Sequence, residues 1–121
     1  MSKIYGFKYE FKYNFSSDNV NILIILEVHK NKYYLKCYDF GDVYCVDITD
    51  QIDEFCNKLK NIKIEKWNNR YFSFWCHCVP ETCWSLSIDM SDTNVRCSGM
   101  SAYPQNWDKF KEIMNSIGVK I

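Results

Sequence analysis

The strongest constraint on how this chain can fold lies in residues 5–15, YGFKYEFKYNF, where every second side chain is aromatic. The aromatic residues of this stripe are Tyr5, Phe7, Tyr9, Phe11, Tyr13 and Phe15. Strict alternation predicts a β-strand with one buried face and one wet face. The lysines lie opposite the rings, whereas a nucleic-acid stacking platform places basic groups beside its aromatics. We therefore predict that the stripe is core rather than a stacking surface.

The predicted first strand is also long. At about 3.3 Å per residue, residues 5–15 would extend over about 36 Å, which is long for a small domain. Such a strand must bend, or one of its ends must overhang the sheet. An overhanging end would offer a free edge, so a homodimer formed through this first strand is one expectation.

The next residues predict three strands and a helix. Residues 20–28 are apolar on both faces, which is typical of a central strand. Turns at 29–31 and 40–42 separate two further strands, 33–39 and 43–48. From residue 52 the apolar spacing is that of a helix, with Thr49 or Asp50 as its N-cap. The apolar face of this helix comprises Ile52, Phe55, Cys56, Leu59 and Ile62.

The second half of the chain repeats this order. Residues 71–78, 83–90 and 95–100 predict strands, and Pro104 occupies the first position of a helix that Gly118 ends. The pattern predicts one α+β domain over residues 1–121, with an antiparallel sheet and two helices. Residues 20–62 and 71–118 form two β-meander-plus-helix units, which we interpret as an internal duplication.

Composition excludes some partner classes. The chain has 15 Lys and Arg residues and 15 Asp and Glu residues, so it has no net charge that would attract a nucleic acid or an anionic membrane. The chain has no apolar run of membrane-spanning length, and its seven cysteines suit a reducing compartment. We expect a cytoplasmic protein. The abundance of Lys, Asn, Ile and Tyr resembles that of proteins encoded by low-GC bacterial or phage genes.

The densest group of reactive side chains is FWCHCVPETC at residues 74–83. On a strand, Cys76 and Cys78 share the apolar face and His77 points the other way. Structural core is the favoured interpretation. The alternative is a zinc site of Cys76, Cys78 and Cys83, for which a fourth ligand must come from elsewhere in the chain. The distant cysteines that could supply it are Cys37, Cys45 and Cys97.

The sequence contains no recognisable catalytic motif. It has no glycine-rich phosphate loop and no nucleophile motif, and its carboxylates lie in turns and helix caps. A Cys83 nucleophile with His77 as base would lack a visible orienting group. We therefore expect that the protein is not an enzyme and that it binds no cofactor.

A binding surface is the more informative expectation. If residues 72, 74, 76 and 78 face the core, the opposite face presents aromatic and basic side chains of the kind that dominate protein interfaces. The predicted surface consists of Trp67, Arg70, Tyr71, Trp75, His77 and Arg96, beside Ser85 and Ser87. The alternative is that another layer of the protein covers this face.

Residues 83–113, CWSLSIDMSDTNVRCSGMSAYPQNWDKFKEI, carry a longer pattern. A Trp-x-Leu-x-Ile strand and a polar hairpin lead to Gly-x-x-Ala-Tyr-Pro and an amphipathic helix. The matching residues are Trp84, Leu86, Ile88, Gly99, Ala102, Tyr103 and Pro104. The segment resembles small uncharacterised proteins of low-GC bacteria and their mobile elements. The resemblance covers the last third of the chain and implies a fold without an activity, with Gly99 permitting a bend and Tyr103 packing under the helix.

These observations favour a small protein that binds another protein stoichiometrically. The expected role is an inhibitor or immunity protein against a bacterial or phage defence or toxin enzyme. A protein target is favoured over nucleic acid, with no membrane partner. Two alternatives stay open: a homo-oligomer that sequesters a small nucleotide-type ligand, and a zinc-binding module.

Overall fold

A computed structural model describes residues 3–13, 20–72 and 82–121. Its strands are β1 (Ile4–Lys12), β2 (Ile22–His29), β3 (Lys32–Asp39), β4 (Asp42–Asp47), β5 (Arg70–Phe72), β6 (Cys83–Met90) and β7 (Asn94–Met100). Its helices are α1 (Ile52–Asn61) and α2 (Trp107–Ser116), and two 3-10 turns span Thr49–Gln51 and Ile64–Lys66.

The strands form one sheet in the order β4-β3-β2-β1-β6-β7-β5. Five of its six pairings are antiparallel, and β5 runs parallel to β7. The predicted α+β class with two helices is therefore confirmed, although the sheet is mixed rather than wholly antiparallel. Neither described helix has the length or the apolar run needed to cross a membrane.

Strand β1 lies at the centre of the sheet, between β2 and β6. Phe7 and Tyr9 are buried under the helices, as the stripe predicts. Tyr5 is 65% exposed because the β1–β6 register shifts between Ile4 and Gly6, and this bulge turns the side chain out of the stripe. Tyr13 lies beyond the strand and is 63% exposed, and Phe15 falls outside the described residues. The core interpretation thus holds for the middle of the stripe and is wrong at Tyr5 and Tyr13.

The central position of β1 bears on the expectation of a dimer through the first strand. β1 pairs with β6 from Ile4 to Lys12 on one side and with β2 from Lys8 to Phe11 on the other. Residues 8–11 therefore offer no free backbone edge, and the dimer stays a prediction for the rest of the first strand.

Two-residue turns connect β2 to β3 and β3 to β4. The first turn has Lys30 and Asn31 at φ of 50° and 64°, and the second has Phe40 and Gly41 at 48° and 94°. Successive residues at positive φ define the type I′ turn, whose twist matches that of the adjoining strands.

Both helices pack on the same face of the sheet. Phe55 of α1 and Phe110 of α2 contact Phe7 with ring centroids 6.0 Å and 6.4 Å apart. Asn106 Nδ2 donates to the Ile62 carbonyl oxygen at 3.3 Å and ties the two helices together. The core therefore lies between this helical layer and one sheet face.

The predicted helix starts are corrected. Helix α1 begins at Ile52 after a 3-10 turn, and the Thr49 amide and hydroxyl donate to the Asp47 carboxylate instead of capping α1. Helix α2 begins at Trp107, three residues after Pro104, and its N-cap is Asn106 at a φ of 70°. The predicted end of α2 is confirmed, since Gly118 follows it with a φ of 93°.

Gly99 has a different role from the predicted bend. It pairs with Trp84 on one side and Tyr71 on the other, and all three lie on the helical face of the sheet. The Tyr71 and Trp84 rings stack across it with centroids 6.1 Å apart. A Cβ on Gly99 would lie 2.4 Å from Trp84 Nε1, so glycine is required here by close packing.

The two halves of the chain occupy balanced positions in the sheet. The hairpin β3-β4 lies outside β2, and the hairpin β6-β7 lies outside β1, so each half contributes a hairpin and then a helix. The halves differ at β2 and β5, because β2 adjoins β3 whereas β5 adjoins β7. The internal duplication stays a prediction.

Candidate functional site

The sheet face opposite the helices is the candidate site, and we call it the open face. Its side chains alternate along each strand with the buried residues of the helical face. Among residues 3–13, 20–72 and 82–121, no helix or strand covers it. The polar half, on β1, β6, β7 and β5, comprises Lys8, Glu10, Lys12, Arg70, Ser85, Ser87, Asp89, Arg96 and Ser98. The apolar half, on β2, β3 and β4, comprises Leu23, Ile25, Tyr34, Tyr38, Val43 and Cys45, and it also carries the charged side chains of Glu27, Lys36 and Asp47.

Ion pairs occupy much of the polar half. Lys8 Nζ lies 2.9 Å from a Glu10 carboxylate oxygen on the same strand. An Arg96 guanidinium nitrogen lies 2.6 Å from an Asp89 carboxylate oxygen across β6 and β7. Exposed pairs of this kind contribute about 0–1 kcal/mol to stability. They are therefore available for exchange with the charges of a partner.

Arg70 differs from these cations. It is exposed at the start of β5, and its guanidinium has no hydrogen bond or ion pair to the described part of the chain. It borders two adjoining depressions of about 390 Å³ and 570 Å³, which share Glu10, Arg70, Ser85 and Ser98. An unpaired guanidinium beside two hydroxyl groups can bind a carboxylate or phosphate.

Asn68 positions Arg70, and sequence reasoning missed it. Its Oδ1 accepts a hydrogen bond from the Arg96 amide at 2.6 Å, and its Nδ2 donates to the Asn94 carbonyl oxygen at 3.1 Å. The Asn68 side-chain amide thus makes the hydrogen bonds to β7 that the backbone of a neighbouring strand would make, immediately before β5 begins. The sequence signal is the pair of asparagines that precedes Arg70, since such side chains readily bond to backbone groups.

The apolar half places aromatic and aliphatic side chains on a flat surface. Val43 is 57% exposed, and Leu23 and Ile25 are partly exposed in the adjoining part of the sheet. Lys36 Nζ lies 5.6 Å from the centroid of the Tyr38 ring. Tyrosines and aliphatic groups of this kind are suited to the dry centre of an interface.

The predicted surface residues divide into three groups. Arg70 and Arg96 lie on the open face together with Ser85 and Ser87, as expected. Trp67 and Tyr71 do not lie there, and Trp75 and His77 fall outside the described residues.

Trp67 and Tyr71 require correction for different reasons. Trp67 is 3% exposed, because the 3-10 turn before it directs the indole under α2, where its ring centroid lies 5.5 Å from that of Phe110. The side chain of Tyr71 lies on the face of β5 opposite to the predicted one. Its ring points to the helical face, where the missing side chain of Gly99 leaves room for it beside Trp84.

The cysteines do not converge in the described part of the chain. Cys83 lies on the open-face side of β6, whereas Cys37 and Cys97 are buried toward the helices. Burial raises the pKa of the Cys37 thiol to about 11 and that of Cys97 to about 12. Within the described ranges, no three His, Cys, Asp or Glu side chains are placed to hold a metal ion. Cys76 and Cys78 lie outside those ranges, so the zinc alternative stays a prediction.

Comparison with protein-family models, with curated proteins and with solved structures found no match to this chain.

Proposed function

We propose that this chain is a stoichiometric binding protein whose partner is another protein docked on the open face. The observation that carries the proposal is the combination, on a face that no described helix or strand covers, of an apolar half and an adjoining polar half whose Arg70 is unpaired within the described residues. Small antiparallel sheets commonly leave one face in water, but that face is then mostly polar. Here Leu23, Ile25 and Val43 lie on it instead.

The dimensions of the face support a protein partner. Seven strands at a spacing of about 4.8 Å give a width of about 29 Å, and a strand of eight residues is about 26 Å long. The face therefore measures about 750 Å², which approaches the roughly 800 Å² that each partner buries in a standard stable interface.

The chemistry of the face indicates how the partner would be arranged. The apolar half would form the dry centre, with Tyr34 and Tyr38 as its aromatic anchors. The polar half would form the rim, where Arg70 would pair with a carboxylate of the partner. In this proposal the protein acts as an inhibitor or immunity protein against a bacterial or phage defence or toxin enzyme. Its small size and its composition motivate that role.

A second proposal is supported by the depression beside Arg70. The guanidinium, the Lys12 ammonium, and the hydroxyls of Ser85 and Ser98 would together suit the phosphate of a nucleotide-type ligand. Oligomerisation around such a ligand would need a surface other than residues 8–11 of β1, which are paired on both edges.

Affinity capture with matched variants tests the first proposal. The tagged wild-type chain, an Arg70→Glu variant and a Lys109→Glu variant are each incubated with the same bacterial lysate, and retained proteins are quantified by mass spectrometry. Lys109 is exposed on α2, so its variant makes the same charge change away from the open face. We expect a partner that wild type and Lys109→Glu retain equally and Arg70→Glu loses, and a 1:1 complex by native mass spectrometry.

Two outcomes would count against the first proposal. One is reproducible capture of nothing, and the other is a partner that all three chains retain equally. Native mass spectrometry of tag-free protein separates the second proposal, because a retained nucleotide or a zinc ion adds its own mass. A bound nucleotide that Arg70→Glu releases would favour the small-ligand function.

A further inference from the structure

The outer edge of β4 is a hydrogen-bonding surface separate from the open face. Among the described strands β4 is the last of the sheet and pairs with β3 alone, in a register that shows no shift from Asp42 to Asp47. The Ile48 amide donates to the Tyr33 carbonyl oxygen at 2.9 Å, which fixes the phase of the ladder. Since hydrogen-bonded and non-hydrogen-bonded pairs alternate in an antiparallel ladder, Val43, Cys45 and Asp47 direct their amides and carbonyls away from β3.

These outward backbone groups are accessible. In residues 3–13, 20–72 and 82–121, no hydrogen bond uses the backbone N–H or C=O of Val43, Cys45 or Asp47. Proteins block such an edge with a proline, a bulge or charged side chains, and β4 has no proline and no bulge; its charged residues are the aspartates at its two ends. Val43 and Cys45 are also exposed, so neither side chain shields the edge.

The charges at the two ends of β4 indicate which strand would fit. Asp42 and Asp47 are exposed acids at its ends. Hydrogen bonds from Thr49 to the Asp47 carboxylate lower the pKa of Asp47, so it is ionised at neutral pH. Opposite charges across a strand pair are favourable, and like charges are unfavourable. An incoming strand with a basic residue at each end would therefore complement β4.

The same charges disfavour a second copy of this chain. A symmetric antiparallel pairing with Cys45 opposite Cys45 of the second copy would place each Asp47 opposite Val43 of the other chain. A second β4 carries two acids and no basic residue, so it cannot supply the opposite charges that would complement Asp42 and Asp47.

We propose that the β4 edge accepts an extended segment of another protein, with β-branched residues at its centre and Lys or Arg at both ends. The segment adds an eighth strand to the sheet by main-chain hydrogen bonds to Val43, Cys45 and Asp47. This inference concerns a different surface from the open face, so either proposal can fail without the other.

The test uses the full chain under reducing conditions and two capped synthetic peptides. One peptide alternates valine and threonine between two terminal lysines, and the other replaces both lysines with glutamates. Amide hydrogen exchange is followed by NMR during titration with each peptide. We expect the lysine peptide to slow exchange at Val43, Cys45 and Asp47. The glutamate peptide should bind about tenfold more weakly, because both ends change from attraction to repulsion.

Substitutions test whether the peptide binds at the outer edge of β4. Asp42→Lys should reduce the preference from about tenfold to about onefold, since the reversed end then favours the glutamate peptide by as much as the Asp47 end favours the lysine peptide. Glu112→Lys makes a similar charge change on an exposed position of α2 and should leave the preference unchanged. Arg70→Glu should also leave it unchanged, which separates this site from the open face.

Three results would overturn the proposal. The first is no peptide-dependent protection at Val43, Cys45 and Asp47, and the second is equal binding of the two peptides. The third is a dimer of the chain alone that crosslinks through Cys45, because this would show that the edge pairs with its own copy.

Discussion

Replacing Gly99 with alanine gives the sharpest test of the packing described above. The added Cβ would lie 2.4 Å from the Ala102 carbonyl oxygen and 2.4 Å from Trp84 Nε1, far inside normal contact distance. Trp84 cannot move freely, because its indole nitrogen donates to that same carbonyl oxygen at 2.9 Å and its ring stacks with Tyr71 and Tyr103.

The expected cost combines three effects. Overpacking a well-filled site costs about 1–3 kcal/mol, and losing the indole hydrogen bond costs about 1 kcal/mol. Alanine offsets about 0.5–1 kcal/mol of this, because glycine is unfavourable in a strand. We therefore expect Gly99→Ala to lower the free energy of unfolding by about 1–3.5 kcal/mol. At about 4 °C per kcal/mol for a domain of this size, Tm should fall by about 4–14 °C.

Urea denaturation followed by tryptophan fluorescence measures this change, with Gly6→Ala as the matched control. A Cβ on Gly6 would lie 3.1 Å from an Asp89 carboxylate oxygen, so that side chain, which is 39% exposed, need shift by only a few tenths of an ångström. We expect the control to change stability by no more than about 0.5 kcal/mol. A Gly99→Ala protein as stable as wild type would refute the packing argument. An equal loss in both variants would show instead that the cost is general to glycine in these strands.

Three further predictions concern the core, the thiols and the pH dependence. Trp67→Ala should destabilise the protein by about 3–5 kcal/mol, because it empties a buried site; a change under 1 kcal/mol in urea denaturation would place the indole on the surface instead. In native protein at pH 8, iodoacetamide should label Cys45 well before Cys97, because Cys45 is exposed and burial raises the pKa of Cys97; peptide mapping would contradict this if both reacted at one rate. Hydrogen bonds from Thr49 lower the pKa of Asp47 below its ordinary value of 3.8, so its stabilising effect is present above that pH and is lost as pH falls through the folded pKa. Asp47→Ala should therefore be less stable than wild type at pH 7, with a gap that closes in acid, and thermal melts with a pH-independent gap would contradict this.

The local sequence pattern predicted strands, turns and helix ends well where each depends on its own residues alone. The alternation over residues 83–90 predicts a strand, and β6 follows it, with Trp84, Leu86, Ile88 and Met90 all buried. The turn at Phe40 and Gly41 and the end of α2 at Gly118 were also predicted. Each of these depends on a side-chain period or on a backbone angle, which the sequence encodes directly.

Features that depend on distant neighbours were not predictable in this way. The phase of Tyr71 depends on Gly99, which lies beside it only because β5 runs parallel to β7. Trp67 lies in a polar segment, so only the turn that directs it under α2 explains its burial. On the open face, Arg70 and Arg96 were found by side-chain type, whereas Asn68 was missed because its role is to bond with the backbone of another strand.

The central place of β1 has a consequence for how the chain folds during its synthesis. β1 leaves the ribosome before the other described strands, and it can pair with β2 soon afterwards. Its other edge must wait for β6, since Lys12 pairs with Cys83 and the Lys3 amide donates to the Ser91 hydroxyl 88 residues further along. Closing loops of this length is slow compared with forming a hairpin. Until β6 pairs with it, β1 has an unpaired backbone edge beside the side chains of Phe7 and Tyr9. The partly folded chain is therefore prone to aggregate, whereas β6 covers this edge in the finished fold.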